Sequence, residues 1–305
     1  MKVLNAWAAV LLSLLIFTAC NEDDEEPVNT REAEGTGKAS IYLTDAPVDN
    51  QEISAVFISI TGVEAKGPEG WINLSNFDEP VSIDLLSYQN GESFLLTEEQ
   101  IAAGTYTEVR LNLNIQENGG TTDAQGSYIQ FKDGSKKVLY TPGGEQTGYK
   151  AIGGFTVPEN GSASITLDFD VRKALVAAGK EDKYLLKPAI RLVANGDAGT
   201  IEGKLSGTEA FNRVVAFVYQ NGAFSESEMD APTQGNVRFA NAISSSMVDQ
   251  NQEFTLAYLN TGTYDVYFAM FDEQGEFLNL LGSYSNVKVG AQTKANISIK
   301  LNELL

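Results

Sequence analysis

The chain has 305 residues, of which 41 are acidic, 21 are basic and none is histidine. A net charge of −20 repels phosphate backbones and argues against nucleic-acid binding. The absence of histidine excludes Ser-His-Asp and Cys-His hydrolases, and also zinc, copper and iron sites that need histidine ligands. Carboxylate-pair chemistry, Ser-Lys chemistry and an all-oxygen calcium site survive this exclusion, but none has a sequence motif here.

The first 19 residues have the pattern of a signal sequence. Lys2 gives a positive start, and Val3–Phe17 is an almost unbroken apolar run, shorter than the roughly 20 residues of a spanning helix. The run ends in Phe-Thr-Ala-Cys, which resembles the lipobox of bacterial lipoproteins with phenylalanine in place of the usual leucine. This resemblance implies cleavage between Ala19 and Cys20 and lipid attachment to Cys20, the one cysteine of the chain. The alternative is an ordinary secretory signal with an incidental cysteine.

Residues 20–37 form a polar, acidic segment that cannot bury enough apolar surface to fold. We expect it to be a flexible tether between the membrane and the folded body. Its acidic cluster resembles the export signal of Bacteroidetes-type lipoproteins, which implies an outer-membrane protein that faces the cell exterior. The alternative is a plain solvated spacer. The residues of the candidate export signal are Glu22, Asp23, Asp24, Glu25 and Glu26.

Strand patterns dominate the rest of the chain, because apolar or alternating runs recur between glycine, asparagine and proline breaks. Two segments indicate other structure: a capped turn from Thr97 to Ala103, and a short helix from Val171 to Ala178. The predicted strands are Ala39–Thr44, Ile53–Val63, Val109–Ile115, Val138–Tyr140, Ser162–Phe169, Ala189–Ala194, Thr200–Leu205, Val214–Tyr219, Glu253–Tyr258, Tyr264–Phe271, Phe277–Leu281 and Ala295–Leu301.

The predicted fold is all-β, with two Ig-like or transthyretin-like β-sandwich domains after the signal sequence and the tether. Turn-forming and small residues at Asn195–Gly199 place the domains at residues 38–195 and 199–305. The two halves share a motif, since Gly-Thr-Tyr leads into a predicted strand at Tyr106 and again at Tyr264. Both tyrosines are expected to pack at a corner of the core, with the hydroxyl on a backbone partner, rather than to act in catalysis.

Five segments of the first half resemble the family called domain of unknown function 4382, which is common in bacterial cell-envelope lipoproteins. The resemblance covers about residues 37–195 and implies an Ig-like β-rich module to which no catalytic residue is carried over. The second half, opening at Thr200–Leu205, is similar to carboxypeptidase-regulatory or transthyretin-like modules. The five segments are Leu43–Pro47, Ala103–Tyr106 with Arg110-Leu111, Thr141–Gly144, Leu167–Asp170 and Leu186–Ile190.

Asp45, Asp168 and Asp170 are candidate calcium ligands, because carboxylates beside turns supply the hard oxygen atoms that calcium prefers. Each also has a structural interpretation. Asp45 can initiate a turn, and Asp170 can cap the short predicted helix. Asp168 and Asp170 share one face if the strand continues, so they can also form ion pairs with Arg172 or Lys187.

Tyr128, Tyr140 and Tyr149 lie in a stretch rich in glycine and glutamine. Because aromatic side chains on extracellular loops can stack on sugar rings, these tyrosines are candidate ligand-binding residues for a glycan or a peptide. The alternative is a hairpin whose aromatic side chains alternate into the core. Trp71 is expected to belong to the core.

These observations favour a non-catalytic binding module of the cell envelope, lipid-anchored in the outer membrane, whose partner is a glycan or an envelope protein. Neither an enzyme activity nor a cofactor is expected, calcium being the one alternative. A structural stalk or assembly subunit is the second reading and a carboxylate-based hydrolase the third. Two carboxyl groups about 5–10 Å apart in a cleft would favour the hydrolase. An exposed aromatic strip would favour glycan binding, and an open apolar edge strand would favour assembly.

Overall fold

Alternating apolar and polar residues build most of this chain into β-strands, which confirms the all-β prediction. The computed structural model describes residues 35–46, 52–115, 126–141, 148–178, 183–207, 213–233 and 235–304. Within this described part, a single α-helix, α1 at Val171–Ala174, interrupts the strands. The strands are β1 Thr36–Asp45, β2 Ile53–Gly67, β3 Gly70–Asp84, β4 Phe94–Ala102, β5 Gly104–Leu113, β6 Tyr128–Phe131, β7 Lys136–Tyr140, β8 Tyr149–Val157, β9 Ser162–Phe169, β10 Leu175–Ala178, β11 Lys183–Leu186, β12 Ile190–Ala194, β13 Ala198–Ser206, β14 Arg213–Gln220, β15 Ser244–Met247, β16 Glu253–Asn260, β17 Gly262–Phe271, β18 Phe277–Val289 and β19 Lys294–Lys300.

The first sandwich packs a four-stranded sheet against an eight-stranded sheet. The smaller sheet has the order β12-β9-β1-β4, and the larger has the order β10-β11-β7-β6-β2-β5-β8, with β3 paired to β2. Alternate residues of β2 point between the sheets, so that Val56, Ile58 and Ile60 share one core with Ile41 and Leu43 of β1.

The second sandwich packs the three-stranded sheet β16-β13-β19 against the four-stranded sheet β15-β14-β17-β18. Strand β14 is buried on both faces, which explains its unbroken apolar sequence. Val214 and Ala216 join the core between the sheets. On the other face, Phe217 stacks on Phe239, so the covering segment, residues 221–233 and 235–243, lies over that side of the sheet.

The two sandwiches share one strand arrangement. In each, the first strand lies between an antiparallel and a parallel neighbour: β1 between β4 and β9, and β13 between β16 and β19. The strand that follows this antiparallel neighbour along the chain joins the opposite sheet. After β4, β5 lies between β2 and β8; after β16, β17 lies between β14 and β18. The repeated Gly-Thr-Tyr motif therefore marks equivalent positions, the starts of β5 and β17.

The tyrosines of that motif confirm the prediction of structural corners. The Tyr106 hydroxyl donates a hydrogen bond to the Ala102 carbonyl at 2.9 Å, and the Tyr264 hydroxyl donates to the Asn260 carbonyl at 2.5 Å. Both rings are buried. Each tyrosine thus pins the crossing from one sheet to the other by bonding to the strand that precedes it.

Two local predictions are wrong. The segment from Thr97 is not a capped turn but part of β4, because its pairing with β1 outweighs the local capping signal. The helix that begins at Val171 ends at Ala174 rather than Ala178. Leu175–Ala178 instead forms β10, since it pairs with Lys183–Leu186. In both cases cross-strand hydrogen bonding overrides a local helical preference.

Strands on either side of Asn195–Asp197 belong to different sandwiches, since β12 ends at Ala194 and β13 begins at Ala198. Gly35–Leu305 nevertheless forms one unit, and the contacts between the sandwiches are part of its structure. Among the helices described, none has the length and apolar character needed to cross a bilayer.

Candidate functional site

The junction between the sandwiches is held by basic side chains of the first sandwich that donate to backbone carbonyls of the second. Arg172, the second residue of α1, is only 4% exposed. Its guanidinium donates to the carbonyls of Arg238 at 2.5 Å and Phe239 at 3.1 Å. The same group lies over the Phe217 ring, 5.0 Å from its centroid. Arg172 is therefore inserted into the covered face of the second sandwich.

Three further basic residues repeat this pattern around Arg172. Lys173 donates to the Ala242 carbonyl at 2.7 Å, and Lys187 donates to the Gly235 carbonyl at 3.1 Å. Arg191 donates to the Tyr258 carbonyl at 2.9 Å. Because the donors come from α1, from β12 and from the segment between β11 and β12, they fix the orientation of the sandwiches rather than a single point of contact.

Contacts in the opposite direction complete the junction. The Tyr258 hydroxyl of the second sandwich donates to the Gly91 carbonyl of the first at 2.9 Å. The Ser246 hydroxyl donates to the Asn90 side-chain oxygen, also at 2.9 Å. Asn90 and Gly91 both have positive φ, so the connection between β3 and β4 makes a tight turn where it contacts the second sandwich.

The three candidate calcium ligands converge at this junction. Asp45 accepts a hydrogen bond from the Val171 backbone N–H at 3.0 Å. Asp168 forms an ion pair with Arg191. Asp170 caps α1, as predicted, by accepting from the Lys173 backbone N–H at 3.2 Å, and it also pairs with the Lys173 ammonium at 2.9 Å. The cation that pairs with Asp168 is thus Arg191. Asp170 pairs with Arg172 at 3.7 Å, as predicted for this pair of carboxylates.

Burial and neighbouring charges act differently on the three carboxyl groups. Burial raises the pKa of Asp45 well above its ordinary value, and the nearby carboxylates of Asp170 and Asp168 act in the same direction. Burial also raises the pKa of Asp168 despite the opposing charge of Arg191. Burial would raise the pKa of Asp170 too, but Arg172 and Lys173 outweigh it and hold this pKa below its usual value.

The described residues of this cluster do not form a calcium ligand set. A cavity of about 160 Å³ adjoins the cluster, but it is lined by the cations Lys173 and Arg191 as well as by Asp168 and Asp170. In the part of the chain that the structure describes, no group of three or more acidic, cysteine or histidine residues is arranged to hold a metal ion. Asp45, Asp168 and Asp170 instead position the basic residues that join the two sandwiches.

A second region of interest is the outward face of the eight-stranded sheet, which we call the outer sheet face. Register places Trp71 of β3 opposite Lys66 of β2, Lys66 opposite Glu108 of β5, and Glu108 opposite Ile152 of β8. Cross-strand partners share a face, so these four residues form one row. Ile152, at 78% exposure, opens the β8 end of this row to solvent, and Trp71 and Lys66 are half-buried.

The expectation that Trp71 lies in the core is wrong. Its alternating neighbours Ile72 and Leu74 point into the core, which turns the half-buried indole of Trp71 outward. The Arg110 guanidinium lies over this ring at 4.3 Å from its centroid, and the Lys150 ammonium lies 5.7 Å away. Trp71 is therefore held on the surface by cation–π contacts rather than by apolar packing.

Two of the three candidate tyrosines lie on the same face. Tyr128 pairs with Phe57 and stacks on its ring at 4.7 Å, and the Lys136 ammonium lies 4.6 Å from the Tyr128 centroid. Tyr140 is half-buried and follows the buried Leu139, so it also points outward. Trp71 and the Phe57–Tyr128 pair lie roughly 30 Å apart along β2, given the rise per residue of a strand.

Tyr149, the third candidate, does not contact solvent. Its ring is 1% exposed and stacks on Phe169 at 5.4 Å, and its hydroxyl bonds to the Lys187 carbonyl. The hydroxyl also accepts from the Ala189 N–H at 3.2 Å. The ligand-binding prediction for Tyr149 is therefore wrong, because alternation along β8 directs this ring into the core, as the hairpin alternative anticipated.

The outer sheet face is the counterpart of a covered surface in the second sandwich. There, Phe217 of β14 and Phe271 of β17 are buried beneath Phe239 of the covering segment. In the first sandwich the equivalent strands β2 and β5 present Glu64, Lys66 and other polar residues on this side. Among the described residues no segment covers them. The same fold thus presents a closed face in one half and an open face in the other.

The residues of the predicted signal sequence and export signal lie outside the described residues. This applies to the predicted cleavage between Ala19 and Cys20, to lipid attachment at Cys20, and to the acidic cluster of residues 22–26.

Comparison with protein families gives a match over the first sandwich. The family model described as domain of unknown function (DUF4382) matches residues 36–188, half of the chain. The chain belongs to the DUF4382 family. The DUF4382 region includes the outer sheet face and the acidic residues of the junction, and it ends just after Lys187. A comparison with curated proteins gave no match.

Several solved structures are similar to the chain at low sequence identity. A candidate carbohydrate-binding protein from Pseudomonas aeruginosa is 17% identical, with a TM-score of 0.21, and the match covers 35% of this chain and 91% of that one. The minor pilin GBS52 from Streptococcus agalactiae is 7% identical, with a TM-score of 0.21, over 86% of this chain and 94% of that one. The shaft pilin SpaA from Lactobacillus rhamnosus GG is 9% identical, with a TM-score of 0.23, over 86% of this chain and 97% of that one.

The sequence did not reveal the roles of the two residues that organise these regions, Arg172 and Trp71. Arg172 bonds to backbone carbonyls, and carbonyl acceptors leave no trace in side-chain patterns. Trp71 had a usable signal, because it alternates with Ile72 and Leu74 and so falls on the opposite face of β3.

Proposed function

We propose that this DUF4382 protein is a cell-surface lipoprotein, tethered through Cys20, whose rigid non-catalytic body binds a glycan through the outer sheet face. The acidic residues that follow Cys20 would direct the protein to the outer side of the outer membrane. The lipobox-like sequence and the acidic cluster support this location, and the open aromatic face supports the binding function.

The observation that carries the glycan assignment is the position of Trp71. An indole that lies on an exposed sheet, with one side against Arg110, offers a flat apolar surface to the C–H face of a sugar ring. Asn73 and Asn112 lie on the same face, with Arg110 and Asn73 flanking Glu64, and they supply hydrogen-bonding groups for hydroxyls. Flat stacking combined with polar side chains suits a sugar better than an apolar ligand.

The length of the face favours a polymer over a compact ligand. Tyr128 and Phe57 form a second aromatic position on the same sheet, roughly 30 Å from Trp71. An extended polysaccharide can reach both positions, whereas a monosaccharide can occupy only one. A protein partner would need to fit the same long, polar and nearly flat surface.

Tryptophan fluorescence of the full chain in detergent tests this proposal directly. Cleavage before Cys20 removes Trp7, so Trp71 becomes the one tryptophan of the mature protein. We expect a soluble polysaccharide from a glycan panel to change this emission in a saturable manner. Calorimetry with Trp71→Ala should show at least about a tenfold loss of affinity, or about 1.4 kcal/mol.

Tyr284→Ala is the matched control, because Tyr284 is an exposed aromatic residue of β18, in the second sandwich. It should bind as the unmodified chain does. A panel without any binding polysaccharide would reject the glycan assignment. Unchanged affinity in Trp71→Ala would reject the role of the outer sheet face.

A second candidate function is that of a rigid spacer, and the junction at Arg172 favours it. Four basic side chains bonded to carbonyls hold the sandwiches in one orientation. Spin labels at Ser54→Cys and Lys288→Cys would report the distance between the sandwiches. A single narrow distance distribution supports a spacer, and a broad one excludes it. This role is compatible with glycan binding, since a spacer can carry a binding face.

A further inference from the structure

We propose that the glycan bound by the outer sheet face is acidic, bearing carboxylate or sulfate groups that Lys150 and Lys136 recognise. This inference rests on the proposed glycan-binding function and names the chemical class of the ligand. Three observations carry it: the placement of cations at both aromatic positions, the balance of charge on the face, and the contrast with the rest of the chain.

Each aromatic position of the outer sheet face has a lysine beside it. Lys150 lies 5.7 Å from the centroid of Trp71, and Lys136 lies 4.6 Å from that of Tyr128. Both lysines are exposed. A sugar ring stacked on either aromatic side chain would therefore bring a substituent at its edge within reach of an ammonium group. A carboxylate or sulfate at that edge would accept a charge-assisted hydrogen bond.

Lys136 and Lys150 differ from the other cations named on this face, because neither has a carboxylate partner among the described residues. Glu64 is paired with Arg110, and Glu108 is paired with Lys66. Within the described residues, neither Lys136 nor Lys150 takes part in an ion pair. The paired residues hold Trp71 in place. Asp84, the cross-strand partner of Phe57, also lies on this face, so the four cations named here stand against three carboxylates and a small excess of positive charge remains.

This local excess is opposite in sign to the chain as a whole, which carries a net charge of −20. An acidic polymer is repelled by most of such a surface, so a local reversal of charge gives it one place to bind. A neutral polysaccharide would gain nothing from that reversal. The charge pattern therefore adds selectivity to the stacking surface and fixes where an acidic polymer can lie.

The experiment compares matched polymers that differ only in charge. Full chain in detergent is titrated with polygalacturonate and its methyl ester, and with dextran sulfate and dextran, while Trp71 fluorescence is followed. We expect binding to at least one charged polymer, no binding to its neutral partner, and affinity that falls as salt is raised. Polygalacturonate tests the carboxylate and dextran sulfate tests the sulfate.

Lysine variants identify the side chains responsible. Because exposed ion pairs are weak, Lys150→Gln should lower the affinity for the charged polymer about fivefold, and Lys136→Gln with Lys150→Gln should lower it further. Lys288→Gln, on the exposed surface of β18, is the matched control and should have no effect. Unchanged affinity in the double variant would overturn the inference.

The polymer comparison separates this inference from the proposed function. Equal binding of neutral and charged polymers would overturn the acidic preference and leave glycan binding standing. Absence of binding to every polymer would overturn both. Binding of a charged polymer that is lost in Trp71→Ala and weakened in the lysine variants would support both.

Discussion

The Asp45 carboxyl group accepts a hydrogen bond from the Val171 backbone N–H at 3.0 Å, across 126 residues of the chain. This bond joins the last residue of β1 to the first residue of α1. Because the next residue, Arg172, enters the second sandwich, Asp45 helps to set the geometry of the junction although it belongs to the first sandwich alone.

Arg172→Met should destabilise the junction strongly. Methionine keeps much of the side-chain length but leaves the carbonyls of Arg238 and Phe239 without their donor. Leaving buried acceptors unpaired costs about 1–3 kcal/mol each. We expect the free energy of unfolding, measured in urea, to fall by about 2–4 kcal/mol. Lys204→Met, at an exposed position of β13, is the control and should change it little. Equal stability of both variants would contradict the role given to Arg172.

Asp45→Asn should change the pH dependence of stability. Burial raises the pKa of Asp45 in the folded chain, so the Asp45 carboxyl group stays protonated to higher pH in the folded state than in the unfolded state. Stability is therefore lost as pH rises from the ordinary carboxyl range through the raised pKa. Asparagine removes this titration and can still accept from the Val171 N–H.

We therefore expect Asp45→Asn to match the unmodified chain near pH 3 and to be the more stable of the two near pH 7, by on the order of 1 kcal/mol. Urea unfolding at several pH values measures this difference. A difference that stays constant across the range, or that favours the unmodified chain at neutral pH, would show that Asp45 is not held in its protonated form by the fold.

Tyr106→Phe and Tyr264→Phe should have similar effects, because both hydroxyls donate to a carbonyl at the equivalent corner of the two sandwiches. Each substitution removes one buried hydrogen bond and should lower the unfolding free energy by about 1 kcal/mol. Tyr284→Phe, at an exposed hydroxyl, is the control for loss of the group itself. Thermal unfolding of the three variants measures the comparison. A large loss of stability in one variant with none in the other would mean that the two hydrogen bonds do not contribute equally, although the strand arrangement is the same.

Cys20→Ser tests the proposed lipid anchor. Each buried methylene of an acyl chain contributes about 0.8 kcal/mol to membrane residence, so loss of the acylated cysteine should release the protein from membranes. Fractionation followed by immunoblotting measures this release. Far-UV circular dichroism of the variant should retain the β signal of the body. Retention in the membrane fraction would mean that residues 1–19 themselves act as the anchor.

Replacement of residues 22–26 by their amides should separate an export signal from a spacer, because it removes the five charges and keeps the segment polar. We expect surface labelling of intact cells to be lost while the protein stays in the membrane fraction. A control that neutralises Glu32 and Glu34, farther along the same segment, should label normally. Normal labelling of both variants would mean that the acidic cluster is only a spacer and not an export signal.

Much of the β architecture could be read from the sequence, because period-two alternation is a local property of each strand. The Gly-Thr-Tyr motif even marked equivalent positions of the two sandwiches at Tyr106 and Tyr264. The failures at Thr97 and at Leu175 have one cause. Both segments carry a local preference for helix or turn, and both obtain strand partners, β1 and β11, that only the tertiary structure reveals.

The candidate site was less predictable, since its determinants lie far apart in the chain. Asp45, Asp168 and Asp170 were recognised as a set, and they do meet. Arg191, the partner of Asp168, was not identified because that pairing depends on the register of β9 and β12. Tyr149 was misjudged because its position in β8 is set by pairing with β5.

The junction uses backbone oxygen atoms as its acceptors on the second sandwich, and this has a consequence for how the two halves can diverge. Arg172 and Lys173 bond to carbonyls, which every residue type possesses. Side chains around residues 235–260 can therefore be exchanged without loss of these bonds, provided the path of the chain is kept. These bonds require particular cations in the first sandwich but only the path of the backbone in the second. The side chains of Ser246 and Tyr258 make separate contacts to the turn at Asn90 and Gly91.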